Sequence, residues 1–174
     1  MVKRAKRILG AAIAIGAVVV GLGEHTANAG TAVSSFGVSA TVIATCQIST
    51  VAFAFGSYDP LSGTATDGTA NVTLTCSKNT ACSLELDHGI NAGAGSTLAV
   101  PIRRMQRGAT AEYMDYGFFS DAARTLNWGT PTNRPSGSAA NKNPFTVPIY
   151  GRVPAGQDLT VGAYNDTVQA TVNF

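Results

Sequence analysis

The sequence has few charged side chains, and this scarcity excludes one large class of partner. Charged residues make up 13% of the 174-residue chain, with 12 Lys and Arg against 10 Asp and Glu. Four of the basic residues lie in the first seven positions, so residues 30–174 carry a net charge of about −1. Because nucleic-acid binding needs a clustered basic surface, we expect no nucleic-acid partner. The one local group of cations, Arg103, Arg104 and Arg107, is typical of a solvated face.

The sequence also lacks the residue patterns of metal, cofactor and catalytic sites. It has three cysteines and two histidines, and no two cysteines have CxxC spacing. His88 is the only histidine after residue 29, so a zinc site is not expected. There is no Ser/His/Asp order, HExxH, P-loop or dinucleotide fingerprint. We therefore predict no metal, no cofactor and no catalytic residue, and the protein is not expected to be an enzyme.

Only one long apolar run is present, and it lies at the start of the chain. Basic residues at positions 3–7 precede an apolar run over 8–22, and Ala27-Asn28-Ala29 supplies the small residues of a cleavage site. This order predicts a signal peptide over residues 1–29. The run is shorter than the roughly 20 residues that cross a bilayer. The mature chain is therefore expected to be exported and to have no membrane span.

The three cysteines lie in the mature chain, where an oxidising compartment would pair two of them. We prefer Cys46 with Cys76, because this bond would tie the end of one strand-like run to the end of "NVTLTC". In the chain-entropy model such a loop contributes roughly 3–4 kcal/mol of stability. Cys82 would then be a buried thiol, although it remains an alternative partner.

Short alternating runs separated by turn residues predict an all-β fold. The mature chain has abundant Gly, Ala, Thr, Ser and Val and shows no helical period, which favours an antiparallel immunoglobulin-like sandwich, with a closed barrel as the alternative. The segment "PTNRPSGSAANKNP", residues 131–144, is expected to be a loop. Strands are predicted around residues 36–44, 51–55, 69–76, 82–86, 101–105 and 113–119, and as two more within 145–174.

Both ends of the mature chain carry strand patterns. At the N-terminal end one parity is apolar and the other is small or polar, so an extended chain would present a single apolar face. From the pattern alone this segment is either an edge strand of its own sheet or an arm that binds another molecule. The apolar parity is Phe36, Val38, Ala40 and Val42, and the last strand alternates through Val168, Ala170, Val172 and Phe174.

The chain resembles the spore coat protein U domain family, whose members include subunits of archaic chaperone-usher pili. The resemblance rests on the order and spacing of "FGVSATVIATCQI", "FAFGSYDPL", "VTLTCSKNTACSLELDHG", "RRMQRGATAEYMDYGFFSDAARTLNWG" and "PIYGRVPAGQDLTVGAYNDTVQATVNF". It implies an immunoglobulin-like domain that lacks its final strand. In that family a periplasmic chaperone lends the missing strand, and the N-terminal segment of the next subunit later replaces it.

The resemblance therefore implies a donor-strand segment over residues 30–45, with Phe36, Val38, Ala40 and Val42 as its pegs, and a domain over 46–174. The last strand would border the gap. The expected function is a structural subunit of a surface fibre that polymerises by donor-strand exchange and supports adhesion and biofilm. Its partners would be a periplasmic chaperone, an outer-membrane usher and copies of itself or sibling subunits, and its route would lead through the periplasm to the cell surface.

Two alternatives remain open. The first is a spore or cell coat protein that uses the same domain. The second is a self-contained secreted glycan-binding sandwich whose arm occupies its own groove. Aromatic side chains are typical of sugar sites and equally of sandwich cores; the candidates are Trp128, Tyr113, Tyr116, Tyr150 and Tyr164.

Overall fold

The structure, a computed structural model, describes residues 29–129, 131 and 133–174. The predicted signal peptide lies outside the described residues except for Ala29. The secondary structure described is entirely β, with antiparallel pairing throughout. No helix over these ranges is long and apolar enough to cross a membrane. The strands are β1 Cys46–Thr50, β2 Thr66–Cys76, β3 Ala81–Leu86, β4 Arg103–Arg107, β5 Tyr113–Phe119, β6 Ser136–Ser138, β7 Phe145–Val153, β8 Tyr164–Asn165 and β9 Ala170–Asn173.

The strands form two sheets within the unit Thr41–Phe174. The larger sheet has the order β1-β2-β7-β5-β4-β8, and the smaller has the order β6-β3-β9. The longest pairing joins β2 to β7, from Thr66 opposite Val153 to Leu74 opposite Phe145. The predicted all-β antiparallel fold is therefore confirmed. Residues 29–40 are exposed and form no strand.

The core is built by the alternation that the sequence shows. Val72, Leu74 and Cys76 on β2 are buried, as are Leu84 and Leu86 on β3, while the residues between them are half-buried or exposed. Each fully buried aliphatic side chain contributes about 1.5–3 kcal/mol. The inward positions predicted for these two strands are confirmed.

Arg103 is buried in this core, so the expectation of a solvated face is wrong at that position. Its side chain is 1% exposed. The guanidinium donates to the carbonyl oxygens of Asp87 at 2.7 Å and Trp128 at 2.9 Å, and it lies 5.5 Å from the ring centre of Phe118. Burial lowers the pKa of Arg103 to about 10. Because main-chain carbonyls satisfy the cation, the side chain can fasten the end of β3 to β4 inside the protein.

A disulfide joins Cys46 to Cys76, the pair that the sequence favours, and Cys82 is a buried free thiol. The two bonded residues are direct partners in the β1–β2 register. The bond therefore fixes the first residue of β1 to the last residue of β2.

The structure corrects several predicted strands. Residues 51–55 have the alternating apolar side chains of a strand but form none, and residues 36–44 also form no strand. In both cases no neighbouring strand supplies the hydrogen bonds that define one. Conversely, the predicted loop over 131–144 contains β6, which pairs with β3, and β8 is an additional short strand beside β4.

Candidate functional site

A long groove runs across the Thr41–Phe174 unit between two segments that no strand joins. One wall is the chain from Ile48 to Tyr58, and the other is the chain from Leu159 to Ala170. Two adjoining hollows of about 590 and 500 Å³ make up the groove. The floor comes from β2, β4, β5 and β7 and consists of Val72, Met105, Met114, Tyr116, Phe118 and Ile149.

Both walls present backbone groups that the described residues leave without strand partners. Residues 51–58 follow β1 but pair with no strand. On the other wall, the carbonyl oxygens of Thr167 and Gln169 accept from the amides of Ile90 and Asp87 at 3.1 and 3.0 Å. Because alternate residues of an extended chain direct their backbone groups to opposite edges, Val168 directs its own into the groove. The groove thus has a free hydrogen-bonding edge on each side.

Aromatic rings connect one wall to the floor. The Phe53 ring lies 4.8 Å from that of Phe55 and 4.9 Å from that of Phe118, between ring centres. Tyr116 continues the cluster, at 5.8 Å from Phe55 and 5.1 Å from Phe118. These tilted contacts are the favoured geometry for aromatic pairs. They hold residues 53–55 in place although that segment belongs to no sheet.

A polar cluster anchors the opposite wall. The Tyr116 hydroxyl donates to Asp166 Oδ2 at 2.7 Å, and Asn91 donates to Oδ1 through its amide and its Nδ2. Burial, with the neighbouring Asp166 carboxylate, strongly raises the pKa of Tyr116. Gly89 has φ +78° and lies so close that a Cβ there would collide with Asp166. Asp166 therefore ties the second half of this wall to β5 and to the loop after β3.

A second anchor holds the start of the same wall, next to Leu159. Glu112 accepts from the Thr160 amide at 2.5 Å and from Arg107 Nε at 2.7 Å. The Thr160 amide hydrogen bond, followed by the Arg107 side chain, lowers the pKa of Glu112 from 4.5 to about 2. Tyr164 donates its hydroxyl to the Thr160 carbonyl at 2.9 Å. The wall is thus fixed by contacts outside the groove, which leaves its inner edge open.

The groove ends before it reaches the segment that precedes β1. The groove lining stops at Ile48 and Ala170, where β1 and β9 come into contact. Beyond that contact, Val42, Ile43 and Ala44 line a separate hollow with Phe174 and the turn over residues 77–81. The other end is at Tyr58 and Leu159. The groove therefore extends from Ile48 and Ala170 at one end to Tyr58 and Leu159 at the other.

The structure places the predicted site residues as follows. Phe36, Val38 and Val42 are 85–90% exposed, and Ala40 is also exposed. Of the predicted last strand, only Ala170 and Val172 lie in β9. Val168 and Ala170 line the groove, Val168, Ala170 and Val172 all pack against the core, and Phe174 lines the separate hollow beside residues 42–44. Sequence reasoning missed most of the lining. The alternation of Phe53 and Phe55 was the visible signal, but the partners of these rings come from distant strands.

The aromatic residues considered for a glycan site are not gathered on one surface. Trp128 is wholly buried at 0% exposure and Tyr116 is 7% exposed, so neither can stack on a sugar. Tyr150 lies beside Arg124, and Tyr113 lies 4.1 Å from the Arg104 guanidinium. Within residues 29–129, 131 and 133–174, no three His, Cys, Asp or Glu side chains form a group that could hold a metal ion.

Comparison with known proteins places the chain in a family. The pattern that defines the Spore Coat Protein U domain matches residues 32–171. Protein U of Myxococcus xanthus is 35% identical over 157 residues, which cover 85% of this chain and 88% of that protein.

The fold also matches a solved structure. This is the CsuC–CsuE complex, a chaperone with a tip adhesion subunit before assembly, from the archaic chaperone-usher Csu pili of Acinetobacter baumannii, with a TM-score of 0.57 and 20% identity. The match covers 77% of this chain and 40% of the matched chain, so this protein spans less than half of that chain's length. The fold is therefore similar to that of a chain in this chaperone-usher complex, and the chain belongs to the Spore Coat Protein U domain family.

Proposed function

We propose that the protein is a structural subunit of an exported surface fibre, in which the N-terminal segment of one copy fills the groove of the next. We call residues 30–45 the arm. The observation that carries the proposal is the pairing of two features in one chain. The groove has two free strand edges and an apolar floor, and the arm has alternating apolar side chains that are exposed. An added strand would satisfy both edges and bury its pegs.

Burial of the four pegs would contribute favourable free energy to such an insertion. Burying Phe36, Val38, Ala40 and Val42 at about 25 cal/mol per Å² contributes several kcal/mol before the cost of ordering the arm. Ladder hydrogen bonds to Val168 and to residues 51–58 would add to this. The small residue Gly37 and the polar Ser35 and Ser39 have the opposite parity and would face outward.

Connectivity favours insertion into another copy. Three residues separate Val42 from Cys46, where β1 begins as one wall of the groove. An arm that folded back on its own groove would need a tight hairpin and would run antiparallel to β1. The arm of another copy has no such constraint. Contacts of this head-to-tail kind do not close on themselves and so generate filaments.

An open groove also predicts a partner before assembly. Exposed apolar surface beside unpaired strand edges is an aggregation hazard. A periplasmic chaperone that lends a strand to the groove, followed by an outer-membrane usher, would protect the subunit during export. On this proposal residues 1–29 direct export, the domain is 46–174, and the fibre lies at the cell surface, where it supports adhesion and biofilm.

The experiment compares the mature chain with a form that begins at residue 46. We expect the mature chain to form fibres in negative-stain electron microscopy and the arm-lacking form to form none. Added to the mature chain, the arm-lacking form should shorten the fibres, because it accepts an arm but offers none. Normal fibres from the arm-lacking form would contradict the proposal.

A coat protein is the second candidate, and the family's description as a Spore Coat Protein U domain favours it. The same arm and groove would then join copies into a layer. Thin fibres at the cell surface in the microscope would support the first candidate, and a continuous layer around the cell or spore would support the second.

A further inference from the structure

We propose that the two ends of the groove are complementary docking surfaces for a second copy of this chain, in addition to the arm. This inference rests on the proposed function. One end is basic and the other is acidic, and each also exposes apolar side chains. The charges would favour one direction of arm insertion and speed the encounter of two copies.

The basic end carries Lys78 and Lys142, the only lysines after residue 29. They belong to two loops, β2–β3 and β6–β7, that are held together by main-chain hydrogen bonds. Asn79 donates to the Ala139 carbonyl at 2.7 Å, and Ala139 donates to the Thr80 carbonyl at 3.0 Å. Both lysines are exposed, and no Asp or Glu occurs in 69–82 or 136–147. This is the end at which the arm joins the domain.

The acidic end carries Asp59, Asp115 and Asp158, all exposed. Gln157 brings them together, because its amide donates to the Tyr58 hydroxyl at 2.9 Å and its Oε1 accepts from the Asp115 amide at 2.7 Å. None of the three carboxylates forms an ion pair in the described part of the chain.

Arg104, the cation opposite Asp115 in the β4–β5 register, does not form an ion pair with the carboxylates of the acidic end. Its guanidinium donates instead to the carbonyls of Asn91 and Ala92. Arg107 pairs with Glu112 beside the groove wall. The acidic end thus keeps three negative charges without a partner in the described structure.

The two surfaces lie at opposite ends of the groove. Strand β7 starts at Phe145, just after the Lys142 loop, and ends at Val153, next to Pro154, whose carbonyl accepts from the Tyr58 hydroxyl at 3.1 Å. An arm inserted parallel to β1 would bring its C-terminal end to Tyr58. Four Cα steps from Val42 to Cys46 span about 14 Å at most. The basic end of the donor copy would then lie against the acidic end of the acceptor.

Insertion in the reverse direction would bring two basic ends together. Charges interact strongly within the Debye length of about 8 Å at physiological salt, which is within reach of so short a connector. Complementary charge raises association rates and disfavours wrong orientations. The charges therefore favour the direction parallel to β1.

Apolar side chains mark the same two ends. Leu61 is 94% exposed and Val161 is 95% exposed at the acidic end, and Ile43 is 75% exposed in the connector at the basic end. Ile43 has the parity opposite to the pegs, so it is not used in the groove. An apolar centre with a charged rim is the usual anatomy of a protein interface.

Charge reversal in the full mature chain tests this docking. Two double variants each reverse one end, Lys78→Glu with Lys142→Glu and Asp115→Lys with Asp158→Lys. A fourfold variant combines them and restores both the net charge and the complementarity. At about 20 mM salt, where screening is weak, we expect each double variant to assemble at least about tenfold more slowly by light scattering. The fourfold variant should recover to within about threefold of the original rate, and high salt should reduce the differences.

A synthetic peptide of residues 30–45 separates this inference from the proposed function. The peptide carries no domain, so it should bind all four chains with equal affinity. If it fails to bind the original chain, the proposed function is wrong. If it binds while the double variants assemble at the original rate, the docking surfaces are wrong. A fourfold variant as slow as the double variants would also overturn the docking, because complementarity would not have restored the rate.

Discussion

At the scale of single residues, the arm has two sets of alternating positions, one with apolar side chains and the other with small or polar ones. The apolar parity is exposed in the isolated chain, where Phe36 and Val38 are 86% and 85% accessible. Exposed apolar side chains in an extended segment have no structural use within that segment. On the proposed function, they become buried when the groove of another copy accepts them.

We therefore predict that Phe36→Asp or Val38→Asp abolishes fibre formation while the domain stays folded. A carboxylate on the apolar parity would be buried without a partner, which costs several kcal/mol. Ser39→Asp is the matched control, because it adds the same charge on the outward parity and should still give fibres. Electron microscopy of the purified chains gives the measurement. Fibres of normal length from Phe36→Asp would contradict the role of the pegs.

Glu112 gives a second prediction at this scale. Its pKa is about 2, below the usual 4.5, so the Thr160 anchor is complete above pH 4.5 and is lost as pH falls through about 2. The amide resonance of Thr160 should shift with a midpoint near pH 2 in NMR. Glu112→Gln should remove this transition. A midpoint at the usual value for Glu would show that the anchor does not form in solution.

At the scale of elements, the groove depends on one unpaired wall. The segment 51–58 is held by Phe53 and Phe55, which pack on the sheet where β7 carries Gly151. A Cβ at Gly151 would lie 2.5 Å from Phe53 Cζ and 2.9 Å from Phe55 Cε1. The absence of a Cβ at Gly151 therefore allows the rings to pack closely against this strand.

Gly151→Ala is expected to destabilise the domain by about 1–3 kcal/mol, because overpacking must displace the rings. It should also weaken binding of the arm peptide, since the displaced rings form the groove wall. Gly137→Ala on β6 is the control, because no atom lies within 4 Å of its Cβ position. Urea unfolding measures both variants. Equal stability of the two would mean that Phe53 is not seated on β7.

The elements also show how far sequence reasoning reaches. Alternation predicts β2, β3, β5 and β7, because these strands have one buried face. It misses β1, which lies between two predicted runs, and it misses β6 and β8, which are too short to show a period. It also predicts strands over 36–44 and 51–55 where none forms. It also fails at Arg103, which looks like one of three surface cations. Strand pairing depends on a neighbouring strand that is distant in sequence. Burial of the Arg103 charge depends on the carbonyl oxygens of Asp87 and Trp128. The local sequence pattern therefore predicts neither.

The groove itself is the least predictable feature. Its lining comes from every described strand except β6 and from three connecting segments, and it exists because no described strand fills the space between Val51 and Val168. The expectation that one strand is missing rests on the family resemblance, because the spacing of the predicted strands does not reveal it. The arm was visible in the sequence, but its role there remained open between an edge strand and a donor.

At the scale of the whole molecule, the disulfide fixes the point where the arm leaves the domain. It joins Cys46 to Cys76 across β1 and β2, with a sequence separation of 30. An arm that is pulled by a neighbouring copy would load β1 directly. The covalent bond transfers that load to β2 and thus to the central pair β2–β7.

Replacing both cysteines with serine should lower the free energy of unfolding by about 3–4 kcal/mol, as expected for a closed loop of this length. Cys82→Ala is the control and should cost no more than about 1 kcal/mol. Denaturant unfolding with and without reductant gives the comparison. A reductant that leaves the original chain unchanged would show that the bond contributes nothing to stability.

The central claim is that the groove is open in one copy and filled by the arm of another. Hydrogen exchange of the backbone amides in Val51–Phe55 and Val168, measured in isolated subunits and in assembled fibres, tests it most directly. We expect rapid exchange in subunits that begin at residue 46 and protection of at least about a hundredfold in fibres, because an inserted strand would engage both edges. Amides already protected in the isolated, arm-lacking subunit would show that the sandwich is complete by itself and would contradict the account.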